Sequence, residues 1–502
     1  MKLKLRLTLV FILIFMYLFA LPASAIGTKT GAGPTNYTYN FSFWGEEVAM
    51  PDAYYVSASI TGHDFGIGNF NSPHGLYIRD NRIYICDTGN NRIVLIEYND
   101  TNGTYEFIKE VGSVIINGEP SPLNAPHDIF EHRTGEIFIA DTENNRVLRL
   151  DSDFNYINSI LKPNDASFED NLDFFPSKLV VDHSNRIFVQ ARHVNKGLME
   201  YSLDGVFTGY MGASPVQVNI FDYFWKMIAT ERQREQMTLF VPTEYNNVAL
   251  DHEGFVYATL STFTGPPENA DPIRRLNAVG TDILIRNGLF GFAAPFGDWY
   301  WSSSGAFSGP SRFADVVVFE NDGYVCLDRR RGRLFSYDFQ GNLLYVFGGV
   351  GNAEGRFLDA VALDRMGTSL FVLDNRTGAI TRFDLTAYGQ YINDAMNYYF
   401  IGLYNESAVL WDEVLRLNGN YDLAFIGKGR AALRNENYRE AMSFYEAKYD
   451  QENYGKAFSL YRKQWIEEHI AAIIIGLVSL YVFTKILGII LKIRKRRKGK
   501  TS

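Results

Sequence analysis

The sequence predicts an all-β six-bladed propeller, followed by an α-helical segment and one membrane-spanning helix. Three observations carry this prediction. Short apolar strands recur in a repeating unit, an unpartnered strand precedes the first unit, and an apolar run of 22 residues lies near the C-terminus.

The repeat is plainest where Asp87-Thr88-Gly89-Asn90-Asn91-Arg92 returns as Asp141-Thr142-Glu143-Asn144-Asn145-Arg146. Each copy sits in one pattern: a proline, an apolar strand, a turn, a second apolar strand ending in the Asp, and a third strand after the Arg. Four looser copies follow, entered at Pro176, Val248, Val316 and Val361, and the fourth unit lacks the Asp. Aromatic and β-branched strands spaced by turn residues at this pitch predict propeller blades.

The count of six is supported by an offset at the ends. Units close with a fourth strand and a glycine-rich turn, as at Leu343–Gly349, whereas the sixth stops near Leu385 without one. The orphan Tyr54–Gly62 is free to supply it and clasp the ring, removing the edges an open sheet must protect.

The Asp-Thr-Gly-Asn-Asn-Arg-Ile run after an apolar strand resembles the NHL repeat, over roughly residues 40–386. The resemblance implies a propeller and no particular reaction. The Asp and Asn residues are expected to act as turn chemistry, capping the hairpin with side-chain to backbone bonds.

Two additions interrupt the pitch. Residues 217–238 carry Ile220, Phe221, Phe224, Trp225, Ile228 and Met237 at helical spacing, predicting an amphipathic helix. Residues 289–313 form a Gly/Ser/aromatic loop containing Trp299-Tyr300-Trp301. Beyond the propeller, residues 390–465 predict helices, one of them over about 394–417. The segment with Ala424, Gly427, Gly429 and Ala441 resembles a tetratricopeptide repeat, its small residues letting two helices approach.

The ends read as targeting segments. Residues 1–25 combine Lys2, Lys4 and Arg6, an apolar run from Leu7 to Leu21, and Ala23-Ser24-Ala25, the build of a secretory signal. Residues 470–491 are long enough to cross a bilayer, with Lys485 as their one charge. The basic tail, residues 492–502, is expected in the cytoplasm and the N-terminal bulk outside it. Setting aside the positive charges of both end segments leaves 37 basic against 57 acidic residues, so nucleic acid is not expected as a partner. Only Cys86 and Cys326 occur, on strands of units one and five that a closed ring keeps apart, so free thiols are expected.

His74 and His127 share one slot, following proline at the start of the innermost strand of adjacent units. Both should reach the channel mouth. NHL-type amidating lyases bind zinc through His in similar Pro-His-Gly and Pro-His-Asp contexts, and these two positions match. Ser177 fills the slot in unit three, and later units have no His there. A catalytic zinc needs three protein ligands, so neither metal nor other cofactor is expected. Asp128 is expected to point away from its neighbour His127 by strand alternation. Trp299, Tyr300 and Trp301 offer aromatic faces for a sugar or a protein partner.

The leading functional reading is a non-enzymatic membrane-anchored scaffold whose propeller binds a protein or a glycan, with a further protein contact open to the helical stalk. A lyase or lactonase-like enzyme at the channel mouth is the alternative, and an accessory subunit of a transport or secretion complex is a third. Fold alone does not separate them.

Overall fold

A computed structural model describes residues 38–42, 46–165, 167–168, 172–212, 244–260, 271–286, 295, 297–298 and 310–498. The expected signal segment, the 217–238 helix and Trp299-Tyr300-Trp301 lie outside these residues. The described chain forms two compact units, residues 54–384 and residues 39–53 with 385 onward.

The first unit is a six-bladed propeller. Blade 1 comprises Gly75–Arg79, Arg82–Asp87, Arg92–Asn99 and Thr104–Val111. Blade 2 comprises Pro126–Glu131, Ile137–Asp141, Arg146–Leu150 and Tyr156–Ile160. Blade 3 comprises Phe175–Val181, Ile187–Arg192, Leu198–Tyr201 and Phe207–Met211. Blade 4 shows Tyr245–Leu250, Val256–Leu260 and Ile273–Leu276. Blade 5 comprises Phe313–Val318, Tyr324–Asp328, Arg333–Tyr337 and Leu343–Gly348. Blade 6 has Ala360–Met366, Ser369–Asp374 and Ala379–Leu385, and its outermost strand is Tyr54–Thr61. The orphan strand therefore closes the ring as expected. Each innermost strand touches the next, and the sixth touches the first.

Alternation along the strands places apolar side chains between neighbouring blades. Ile83, Ile85 and Val94 of blade 1 pack with Val361, Phe371 and Leu373 of blade 6. On the other face Tyr84, Ile93 and Leu95 pack with Ile129, Ile139 and Leu148 of blade 2. Each such side chain, buried on folding, contributes roughly 1.5–3 kcal/mol, so the ring is held by its blade interfaces. Cys86 and Cys326 are both buried and free, and burial pushes both thiols up.

A hairpin between blades 1 and 2, Ser113–Ile116 with Glu119–Pro122, was not expected. Its turn is Asn117-Gly118, both at positive φ, the pairing that two-residue hairpins favour. That dipeptide was its signal in the sequence.

The second unit holds a short hairpin, Tyr39–Phe41 with Glu47–Ala49, and five helices: α1 (Ala387–Phe400), α2 (Tyr404–Leu417), α3 (Asp422–Arg434), α4 (Tyr438–Ala447) and α5 (Gln451–Lys498). The single helix expected over 394–417 is two, because the chain turns at Gly402 with φ +84°. Consecutive helices pack on one another. Ala424 and Ala441 are buried, and a Cβ at Gly429 would lie 2.7 Å from the Tyr445 ring, so small residues set the approach of these helices. Helix α5 is long and apolar enough to cross a membrane, by length and composition.

Candidate functional site

The channel is built by a one-residue slip repeated around the ring. Pairing between the innermost and second strands shifts between Pro126 and Asp128, Pro176 and Lys178, Tyr245 and Asn247, and Phe313 and Asp315, and again in blade 6. A bulge breaks strict alternation, so two successive residues turn to one side. His127, Ser177 and Asn246 thus line one mouth, while their successors Asp128, Lys178 and Asn247 line the channel behind it. Asp128 turns into the channel against Lys178, in the cavity behind the mouth that His127 lines.

The successors form a charged waist. Lys178 Nζ lies 3.3 Å from Asp128 Oδ1 and 3.9 Å from Asp315 Oδ2. Asp128 also accepts from Leu179 N at 2.9 Å, and Asp315 accepts from Leu363 N at 2.9 Å and from the Asn247 side-chain amide. Burial raises both carboxyls, while the two carboxylates hold the Lys178 ammonium charged against its own burial. Asp364 sits deeper, accepting from Ile78 N and Arg365 N, and burial pushes it up to about 7.

The repeat motif positions the two histidines. Asp87 accepts from Asn71 N at 2.7 Å and pairs with Arg92 at 2.7 Å. Asp141 repeats this with Asn124 N at 2.7 Å and Arg146 at 2.7 Å. Both carboxylates are fully buried, and each clamps the segment that leads into Pro-His. The Thr88 hydroxyl then donates to the Pro126 carbonyl at 2.8 Å, tying blade 1 to the residue before His127. These residues act as turn and staple chemistry.

His74 and His127 lie side by side, ring centroids 4.4 Å apart. His74 Nδ1 is 3.0 Å from the Ser72 carbonyl, and the Asn375 amide approaches it. Arg192 Nη2 approaches both ring nitrogens of His127. Burial lowers both imidazoles; His74, Arg192 and Lys178 add to the effect at His127 and take it down to about 2. Both rings are therefore neutral at physiological pH. Neutral imidazoles are able to ligate a metal, but the third partner here is a guanidinium. Among the described residues, neither histidine belongs to a group of three converging metal-ligand side chains; Asp251, Glu253 and Asp322 make one elsewhere. Arg275 sits among those three, 2.6 Å from Asp251, 2.8 Å from Glu253 and 3.2 Å from Asp322. Among the described residues, His74 and His127 offer two of the three protein ligands that a catalytic zinc takes.

The mouth is a cavity of about 600 Å³. Besides the histidines, its described lining includes Arg192, Arg312, Arg329, Arg330 and Lys178, with Asp359 as the one carboxylate among the described residues. None of these five cations was singled out from sequence. The run Arg329-Arg330-Arg331 was a legible signal, whereas Lys178 and Arg192 become neighbours of the histidines only through the blade packing.

Residues 70–94, within blade 1 and its approach, match the NHL repeat. A stretch of 124 residues is 32% identical to the probable peptidyl-alpha-hydroxyglycine alpha-amidating lyase pgal-1 of Caenorhabditis elegans, covering 24% of this chain. The chain spans 32% of the length of that relative. Among solved structures, streptogramin B lyase aligns over 66% of this chain and 98% of its own, with 11% identity and a TM-score of 0.39. The PQQ-bound aldose sugar dehydrogenase from Streptomyces coelicolor aligns over 70% of this chain and 100% of its own, with 10% identity and a TM-score of 0.38.

Proposed function

We propose that this chain is a membrane-anchored propeller scaffold, displayed outside the cytoplasm, that binds a protein or glycan partner at the mouth around His74 and His127. The observation that carries this reading is Arg192. A guanidinium against His127, with further cations around it, disfavours the divalent ion that a zinc-dependent lyase would hold there. Helix α5 supplies the anchor, with residues 26–469 outside and 492–502 inside. Trp299, Tyr300 and Trp301 are proposed as a second contact for the same partner. Protease added to intact cells should remove the bulk of the chain and leave a C-terminal tag protected; a tag degraded from outside overturns the orientation.

The lyase reading has its own support in the paired neutral imidazoles and in the 32% identity to the amidating lyase. Metal analysis of the purified full-length chain separates the two. The scaffold reading expects no stoichiometric zinc, no turnover of a peptidyl-α-hydroxyglycine, and a modest fall in Tm for His74→Ala or His127→Ala. Each substitution loses a hydrogen bond or two, about 1–3 kcal/mol where a buried partner is left unsatisfied. One zinc per chain, lost with activity on either substitution, establishes the lyase instead.

A further inference from the structure

We infer that Asn102 is a glycosylation site, its side-chain amide taking an oligosaccharide from a membrane polyprenyl-phosphate carrier. The inference rests on the reading that residues 26–469 lie outside the cytoplasm, since this transfer acts on exported chains.

The acceptor pattern is Asn-x-Ser/Thr, in which the transferring enzyme reads the hydroxyl as well as the amide. It occurs at Asn36, Asn40, Asn99, Asn102, Asn375 and Asn405. The structure sorts these positions. Asn36 lies outside the described residues. Asn40 is half-buried within a strand, opposite Val48. The Asn375 amide is engaged at the mouth, donating to the Pro73 carbonyl at 3.0 Å and approaching His74 Nδ1. At Asn405 the hydroxyl is shut away: Ser407 is buried and donates to the Ala395 carbonyl at 2.8 Å. Asn99 is half-buried and its amide donates to Glu106 at 3.3 Å. Asn102 differs from all of these, because every residue from Asp100 to Thr104 is exposed.

The turn holds Asn102 in a defined pose. Gly103 N donates to the Asn99 carbonyl at 2.8 Å, and Gly103 takes φ +71°. Thr104 N and the Thr104 hydroxyl both donate to Asn102 Oδ1, at 3.1 and 2.6 Å. The carbonyl end of the amide is thus tied to the hydroxyl of its own acceptor pattern. Among the described residues Nδ2 is left without a protein partner, and Nδ2 is the atom that takes the sugar. In the transfer Nδ2 attacks C1 of the carried sugar. The N–C1 bond forms as the C1–O bond to phosphate breaks. The carrier phosphate leaves with the bonding pair, and the proton from Nδ2 passes to a base of the transferring enzyme.

Position agrees with a sugar-bearing surface. The turn joins Arg92–Asn99 to the outermost strand Thr104–Val111. Tyr98 N donates to the Asn81 carbonyl at 2.8 Å, which sets the turn level with the Arg79–Arg82 turn of the same blade. Arg79 lines the cavity behind the waist, away from the mouth at His74 and His127. A glycan on Asn102 therefore leaves that mouth clear.

The test is glycopeptide mass spectrometry on the full-length chain isolated from the membranes of its own host. Trypsin releases residues 93–109, which carry both Asn99 and Asn102, and fragmentation that keeps the sugar attached locates it. The expected result is one oligosaccharide on Asn102. Asn102→Gln and Thr104→Ala should each lose the whole glycan, while Thr104→Ser, which keeps the hydroxyl, should retain it. Asn405→Gln should leave the electrophoretic band where it is. Substitutions in so exposed a turn should leave the chain folded, which thermal unfolding checks. A bare Asn102, a merely deamidated one, a glycan on Asn99 alone, or a glycan that survives Thr104→Ala overturns the site. Protease treatment of intact cells, run alongside, separates the two readings. A bare Asn102 in a chain cleaved from outside with its C-terminal tag protected removes this inference only. A bare Asn102 with the tag degraded removes the orientation as well.

Discussion

Lys178→Met is expected to destabilise the propeller by about 3–5 kcal/mol, because it leaves Asp128 and Asp315 as buried carboxylates without their cation. Thermal unfolding of the purified chain should show a Tm lower by on the order of 10 °C. The deficit should depend on pH, with a determinate sign. Burial already raises both carboxyls, and loss of the ammonium raises them further. A carboxyl whose folded pKa lies above its unfolded value favours the folded state when protonated, and that contribution is lost as pH rises through the folded pKa. The deficit should therefore be small in acid and widen toward pH 8. Adding Asp128→Leu to Lys178→Met should recover part of the loss, since removing both partners of a buried pair is often tolerated. A Tm equal to that of the parent chain, or a deficit that ignores pH, contradicts the waist as a charge-compensated plug.

Asp141→Ala is expected to cost a similar amount, about 3–5 kcal/mol, although it lies in a turn. Its fully buried carboxylate accepts from Asn124 N, from the Asn144 amide at 2.8 Å and from Arg146. Alanine leaves all three donors short of their acceptor. Asp141→Asn should lose less, keeping one oxygen to accept. The exposed Asp204→Ala should stay within about 0.5 kcal/mol of the parent. Because Asp141 holds the segment leading into His127, local protection of blade 2 amides from hydrogen exchange should fall along with global stability. If Asp141→Ala unfolds with the parent's midpoint, the repeat Asp is not the clamp described above.

Much of the fold was legible in the sequence because propeller blades are local. Each strand, turn and clamp in Asp87–Arg92 or Asp141–Arg146 is specified within a few residues, and repetition makes the period visible. The orphan Tyr54–Thr61 was legible for a related reason: six units with one fourth strand missing leave a single place for it. Gly402 and the Asn117-Gly118 turn were local signals too, though weaker than the apolar runs around them.

The sequence by itself determined the blade count, the closure of the ring, the two histidines at one mouth and the apolar C-terminal helix. Tertiary structure alone decided what surrounds those histidines. The bulge that turns both His127 and Asp128 into the channel depends on how the innermost strand pairs with the second, which no period in the chain records. Lys178 meets Asp315, and Arg192 meets His127, across 137 and 65 positions of sequence. Such pairs exist only after the blades have packed. A strand's apolar face is written every second residue, but the charge of a channel is a sum over six strands and has no local signature.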